Sequence, residues 1–275
     1  MVVHVLKRAD FPRPEAIVPQ VAETDRVYAI GDVHGRYDLL IRILKRIDED
    51  ARRFTDGRRV RLVLLGDYVD RGEDSKNVLD ALSVLAKDGA ENLILLRGNH
   101  EAVLLDFLED PVGAASWLEF GGLQTLASFG VAVPRSWSDE RRLIAARDGL
   151  ARAIRPYMPL LLRMRDWWRC GDVLFCHAGL DPARALGDQQ SSAFLWGHPE
   201  FLVDQPIAGL RVVHGHFDVS EPTSLPGRIC IDTGAYYSGV LTAVRLDFGE
   251  AFLSSSEART LAPPGEFSES SGSRG

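Results

Sequence analysis

The chain has 275 residues, enough for one large domain or two small ones around a sizeable core. Apolar residues make up 45% and charged residues 26%, an ordinary globular balance, and no run approaches the ~20 apolar residues of a membrane span, which argues against an integral membrane protein. The formal net charge of −7 argues against a general nucleic-acid binder, so any anionic substrate must be drawn by a local positive site.

The first twenty-odd residues carry Pro12, Pro14 and Pro19 without a clear period, and are read as an irregular arm over 1–25. They show no long apolar stretch behind a basic start, so no signal peptide is expected and the cytoplasm is the expected compartment. A folded domain is expected over 26–253. In chain order, Val27 to Ile30 is an apolar run stopped by Gly31. Leu39, Leu40, Ile43, Leu44 and Ile47 then share one helical face. Val60 to Leu65 is a second strand, Val78, Leu79, Leu82 and Leu85 stripe a second helix, Asn92 to Leu96 is a third strand, and EAVLLDFL begins a third helix. This alternation predicts βαβ units. Residues 113–162 read mainly helical, as an insertion, and DWWRC, DVLFCHA, LRVVHGH, RICIDTGA and GVLTAVRLDF are short strand-like runs. The expected class is α/β, a sandwich flanked by helices. From 254 to 275, Ser, Gly, Pro and Glu dominate, a composition expected to stay disordered.

Each of the first three strands ends in polar residues: Gly31-Asp32-Val33-His34-Gly35, Gly66-Asp67-Tyr68-Val69-Asp70-Arg71-Gly72 and Gly98-Asn99-His100-Glu101. Ligands in open α/β sheets bind outside the carboxyl ends of strands, so the three clusters should converge. Cys176-His177-Ala178-Gly179 and His214-Gly215-His216 follow two later strands. Carboxylates, an amide and imidazoles together suit Mn, Fe or Zn better than Ca or Mg. Cys170, Cys176 and Cys230 are odd in number and lack CxxC spacing, which speaks against a disulfide scaffold or a thiolate zinc site.

GDVHG, GDYVDRG, GNHE, CHAGL and HGH, in this order, resemble the five blocks of the metallophosphoesterase superfamily. GDYVDRG followed by LLRGNHE is similar to the PPP-type serine/threonine protein phosphatases in their bacterial and phage form, as are WLEFGGLQTLASFG and IDTGA. The resemblance spans Val27 to Asp247 and implies the calcineurin-like β-sandwich. It implies two divalent ions, Mn first with Fe or Zn as alternatives. Asp32 and His34 would hold one, Asp67 would bridge, and Asn99, His177 and His216 would hold the other. Two cations about 3.5–4 Å apart need such an anionic bridge, and a hydroxide between them can attack phosphorus in line. His100 would protonate the leaving oxygen, Asp70 would orient His100, and Arg71 would clamp the phosphate.

One departure concerns a second phosphate-binding arginine that the family carries after a Leu-Trp pair. Here the stretch is Leu195-Trp196-Gly197-His198-Pro199-Glu200-Phe201, with His198 in the arginine's place. Imidazole is a weaker, pH-dependent donor without the bidentate fork. His214 is read as supporting its neighbour, and Arg97 as pairing with a carboxylate. The expected activity is phosphomonoester hydrolysis on a phosphoserine or phosphothreonine protein or a small phosphoester, with no nucleic-acid or membrane partner. The alternative is a symmetrical dinucleoside-tetraphosphate hydrolase, whose relatives tend to carry alanine before the arginine of the second block and GNHD in the third. Asp70 and Glu101 speak against it. A non-catalytic scaffold would require a degenerate site, and the ligand positions are intact.

Overall fold

The computed structural model describes residues 20–89, 91–133, 139–202 and 209–256. The expected arm falls mostly, and the expected tail almost wholly, outside the described residues, as does Pro134. The elements in chain order are β1 (Asp25–Ile30), α1 (Tyr37–Ala51), β2 (Arg59–Leu64), α2 (Ser75–Asp88), β3 (Leu93–Leu95), α3 (Asn99–Glu109), α4 (Gly122–Ser128), α5 (Glu140–Ile154), α6 (Met158–Leu161), β4 (Trp167–Cys170), β5 (Val173–Cys176), α7 (Ser191–Trp196), β6 (Arg211–His214), β7 (Thr223–Ser224), β8 (Arg228–Cys230), α8 (Ala235–Ser238), β9 (Thr242–Leu246) and β10 (Glu250–Ser254).

Two five-stranded sheets result, with orders β10-β9-β1-β2-β3 and β4-β5-β6-β8-β7. β1, β2 and β3 are parallel, as the alternation of strand and helix patterns predicts, and β9 and β10 extend that sheet antiparallel. In the second sheet β5, β6 and β8 are parallel, and β4 and β7 are antiparallel edges.

The two-residue period of a strand sends alternate side chains to opposite faces. In β1, Val27 and Ala29 enter an apolar layer shared with Val173, Phe175, Val213 and Ile229 of the other sheet. Tyr28 and Ile30 enter a second layer with Leu39, Leu40, Ile43 and Ile47 of α1 and Val78, Leu79 and Leu82 of α2. Leu143, Ala146, Leu150 and Ile154 of α5 belong to that same layer, so the helices expected as an insertion complete the outer cover of the first sheet. Leu174, Cys176 and Val212 pack the far face of the second sheet against Phe194 and Phe201. The fold is thus a sandwich of two mixed sheets between helices.

The strand-like signal missed β10. Its sequence runs directly into serines and carries little β-propensity. Pairing with β9, Ala251 opposite Arg245 and Leu253 opposite Ala243, together with burial of Phe252, holds it in the sheet instead. No helix among the described residues is long and apolar enough to cross a membrane.

Candidate active site

The strands that run parallel deliver their following residues to one place. Asp32 and His34 follow β1, Asp67 to Arg71 follow β2, Asn99 and His100 open α3 after β3, and His177, His216 and Asp232 follow β5, β6 and β8. The loops are tied together: Val33 and His34 N–H donate to the Asp67 carbonyl at 3.0 and 2.8 Å, and Gly72 N–H to the His34 carbonyl at 3.1 Å. Among the described residues, the non-glycine positions with left-handed backbone are His34, Asp67, Asp70, Arg71 and His216. Every one lies in these loops. Such conformations cost about 1–3 kcal/mol each and persist where the surrounding structure over-determines them.

Two groups of possible metal ligands share Asp67: His34, Asp67 and His100 on one side, Asp67, His177 and His216 on the other. Asp67 Oδ2 lies 3.4 Å from His34 Nε2, and Oδ1 lies 3.4 Å from His177 Nε2. Each carboxylate oxygen therefore faces one half of the cluster, the arrangement a bridging ligand requires. Asn99 Oδ1 sits 2.9 Å from His177 Nε2 and 3.0 Å from His216 Nδ1. Asp32 accepts from His216 N–H at 3.0 Å and lies 4.0 Å from His177 Nδ1.

The residues present fit cations. Asp32 Oδ1 is buried without a hydrogen-bond partner. His177 Nδ1 lies 3.2 Å from the Leu65 carbonyl and so carries the hydrogen, which leaves a lone pair on Nε2 facing another acceptor, Asn99 Oδ1. His34 is set likewise, with Nδ1 at 3.0 Å from the Val69 carbonyl and Nε2 turned to Asp67. Burial pushes His34 and His177 down to about 3 and about 4, so both are neutral imidazoles able to ligate. Burial and the nearby Asp232 and Asp67 carboxylates hold Asp32 well above the usual carboxylate range, and burial pushes Asp232 up to about 6. Negative charge is concentrated here, and no lysine or arginine among the described residues forms an ion pair with Asp32, Asp67 or Asp232. Two glycines leave room for it: a Cβ at Gly98 would overlap Asp67 Oδ1, and one at Gly215 would overlap Asp32 Oδ1.

His100 stands at the rim of the cluster, its Nε2 3.9 Å from Asp67 Oδ2. Its Nδ1 is 2.7 Å from Asp70 Oδ2. Asp70 is fully buried and also accepts from Trp117 Nε1 at 2.7 Å and Thr125 Oγ1 at 2.5 Å. Burial opposes charging His100, but the Asp67 and Asp70 carboxylates outweigh it and raise its pKa. Arg71 Nη2 lies 3.1 Å from His100 Nε2, and its guanidinium stands 5.0 Å over the Tyr236 ring.

The structure thus brings Asp32, His34, Asp67, Asp70, Arg71, Asn99, His100, His177 and His216 together. His198 Nδ1 accepts from Glu200 N–H at 3.3 Å, and no hydrogen bond among the described residues ties it to the cluster. Phe201 is buried, whereas Trp196 is half exposed and edge-on to His216. His214 is buried within β6 between Phe201 and Phe217, and Arg97 pairs with Asp166 at 2.6 Å. Two residues within the motifs already read were given no part in the site. Asp232 sits in IDTGA after a strand-like run, the same polar strand-end pattern that marked Asp32. Glu101 is buried in α3 and accepts from Asp67, Tyr68, Val69 and Gly98 N–H at 2.9, 2.7, 3.2 and 3.0 Å. No local pattern foretells a carboxylate that binds a distant loop.

Relatives carry related chemistry. The chain is 28% identical over 239 residues to the asymmetrical bis(5'-nucleosyl)-tetraphosphatase PrpE of Oceanobacillus iheyensis, covering 80% of this chain and 88% of that protein. It is 28% identical over 272 residues to the symmetrical bis(5'-nucleosyl)-tetraphosphatase of Methylococcus capsulatus, covering 80% and 91%. Serine/threonine-protein phosphatase BSL2 of Arabidopsis thaliana is 38% identical over only 80 residues, 28% of this chain and 8% of the plant protein. A solved candidate diadenosine tetraphosphatase shares the fold with TM-score 0.56 at 21% identity, covering 84% of this chain and 93% of the other. The model of the calcineurin-like phosphoesterase family matches residues 25–220, from the start of β1 to just beyond His216. That span contains both ligand groups around Asp67, and the chain belongs to this family of metallophosphoesterases, as a hydrolase.

Proposed function

We propose that the protein hydrolyses a phosphoanhydride bond of a dinucleoside tetraphosphate, using two divalent ions held by Asp32, His34, Asp67, Asn99, His177 and His216. The mixed donor set suits Mn, with Fe and Zn next. Such ions supply a nucleophile from water near neutral pH and neutralise the phosphoryl oxygens. Arg71 offers its planar fork to a phosphate oxygen, and His100, oriented by Asp70, gives its proton to the leaving oxygen. The observation that supports phosphoester chemistry is the pair of ligand groups sharing Asp67, with His100 and Arg71 at their rim.

The substrate class is supported by two relatives that align over 80% of the chain, both of which are named as tetraphosphatases. The two residues that spoke against a tetraphosphatase have other work. Asp70 is fully buried around the His100 ring, and Glu101 is fully buried among backbone N–H groups. Both are shut off from solvent, so neither can choose between a phosphoprotein and a nucleotide by direct contact. The phosphoserine expectation is also weakened by His198, which stands where the protein-phosphatase pattern has an arginine and lacks its bidentate fork. The test is a hydrolysis panel with Mn: a dinucleoside tetraphosphate, a phosphopeptide and a bis-aryl phosphodiester side by side. The proposal expects the highest kcat/KM on the tetraphosphate; a phosphopeptide preference would restore the protein-phosphatase reading.

A further inference from the structure

Exposed aromatic rings flank the ligand cluster. Tyr236, 40% exposed, stands edge-on to His34 at 5.6 Å between ring centroids and 80° between planes. Trp196, 50% exposed, stands edge-on to His216 at 6.2 Å and 88°. His34 belongs to one ligand group and His216 to the other, so each half of the cluster has its own open ring. Exposed aromatics are ordinary on a protein surface; what sets these two apart is that each stands against a histidine of a different ligand group.

Tyr236 is also held in place. Tyr237 packs edge-on against it at 5.0 Å, the Tyr237 hydroxyl donates to Asp218 at 2.5 Å, and Arg71 stands over its ring at 5.0 Å. Trp196 ends α7 beside His216, which is itself packed edge-on to His177 at 5.0 Å and Phe217 at 4.8 Å. Each ring is thus held by perpendicular neighbours while keeping 40% (Tyr236) and 50% (Trp196) of its surface exposed. A rigid aromatic face on solvent is a stacking platform for a planar base, worth about 1–3 kcal/mol per base, or about 5- to 150-fold in affinity.

Resting on the tetraphosphatase reading, we infer that Tyr236 and Trp196 bind the two bases of the substrate, one on each side of the reacting phosphates. The rings then select dinucleoside polyphosphates over base-free phosphoanhydrides and give the enzyme a recognition element that the absence of an arginine at His198 does not supply. A phosphoprotein would find no use for two separated stacking faces.

The experiment compares Tyr236→Ala and Trp196→Ala with Tyr236→Phe and Trp196→Phe, all loaded with Mn. For each, KM is measured for diadenosine tetraphosphate and for inorganic tripolyphosphate, and Kd by equilibrium dialysis for ADP and for pyrophosphate. Each alanine variant should raise the ratio of KM for diadenosine tetraphosphate to that for tripolyphosphate about tenfold. At least one should raise the ADP-to-pyrophosphate ratio of Kd similarly, and the phenylalanine variants should restore both ratios. Ratios that stay within twofold of wild type overturn the inference, as does an equal rise for both substrates. The two failures are separable. Wild type that binds ADP through these rings but does not turn over diadenosine tetraphosphate contradicts the proposed function and leaves the platform standing.

Discussion

Asp67 turns one oxygen to His34 and the other to His177 at the same 3.4 Å, and no other carboxylate of the site faces both ligand groups. Asp67→Asn keeps the shape and removes the charge, and should lose more Mn than a change at any other ligand, read by elemental analysis after gel filtration. His100→Asn should retain metal and slow hydrolysis of an alkyl phosphomonoester by about 10²–10⁴-fold. The loss on a dinucleoside tetraphosphate should be smaller, because its leaving group is a phosphate that departs without full protonation. Equal losses on both would mean that His100 holds structure and does not transfer a proton. Asp70→Asn carries a pH signature. An acid must be protonated to act, so kcat falls as pH rises through the His100 pKa. Burial lowers that pKa and the two carboxylates raise it above the ordinary value. Removing the Asp70 charge should therefore move the alkaline limb of kcat to lower pH; an unmoved limb would assign it to another group.

Helices α3 and α4 brace the loop after β2 from two directions. Glu101 of α3 collects four backbone N–H groups, three of them from residues 67–69, and Thr125 of α4 bonds both the Asp70 carboxylate and its N–H. These bonds offset the left-handed strain at Asp67 and Asp70. Glu101→Gln replaces one acceptor oxygen by a donor facing backbone donors, and should cost about 1–3 kcal/mol in urea unfolding while also weakening Mn binding. A loss of stability with metal affinity intact would separate α3 from the site. This bracing was the least legible part of the sequence. Strand-end clusters such as Asp32-Val33-His34 announce themselves, because polar residues interrupt an apolar run. The apolar stripe of α1 was readable for the same reason: Leu39, Leu40, Ile43 and Ile47 recur at helical spacing and are all buried. Glu101, Trp117 and Thr125 act across 32 to 55 positions, and β10 is held by pairing with β9. Neither leaves a local period to read.

Across the whole molecule, two sheets bring the ends of six strands to one rim and deposit Asp32, Asp67 and Asp232 there, buried. The sandwich supplies the rigidity, with one apolar layer between the sheets and others outside them. In the metal-free protein the raised carboxyls and the depressed imidazoles of the site make stability depend on pH with opposite signs. Asp232 rises to about 6, chiefly through burial, and Asp32 is raised as well. A carboxyl whose folded pKa lies above its unfolded value binds more protons when folded, so its contribution is complete below the unfolded pKa and is lost as pH rises through the folded one. His34 and His177, depressed to about 3 and about 4, act in the opposite direction, so the carboxyl contribution is read by difference: Asp232→Asn should make the Tm of chelated protein rise more, or fall less, between pH 4 and 7 than that of wild type. Added Mn should raise Tm at pH 7 in proportion to the logarithm of its free concentration. Parallel pH profiles for the variant and wild type would mean that Asp232 is not held protonated in the folded protein across that window.

The measurement closest to the central claim is the Mn content of the intact protein after reconstitution and removal of free ions, with Asp67→Asn beside it. Two equivalents per chain in the wild type and fewer than one in the variant are predicted, with hydrolysis of dinucleoside tetraphosphate rising in step with the second ion. A wild type that stays near zero equivalents while folded would contradict the account, because the buried Asp32, Asp67 and Asp232 would then be compensated without the ions the site is built to hold.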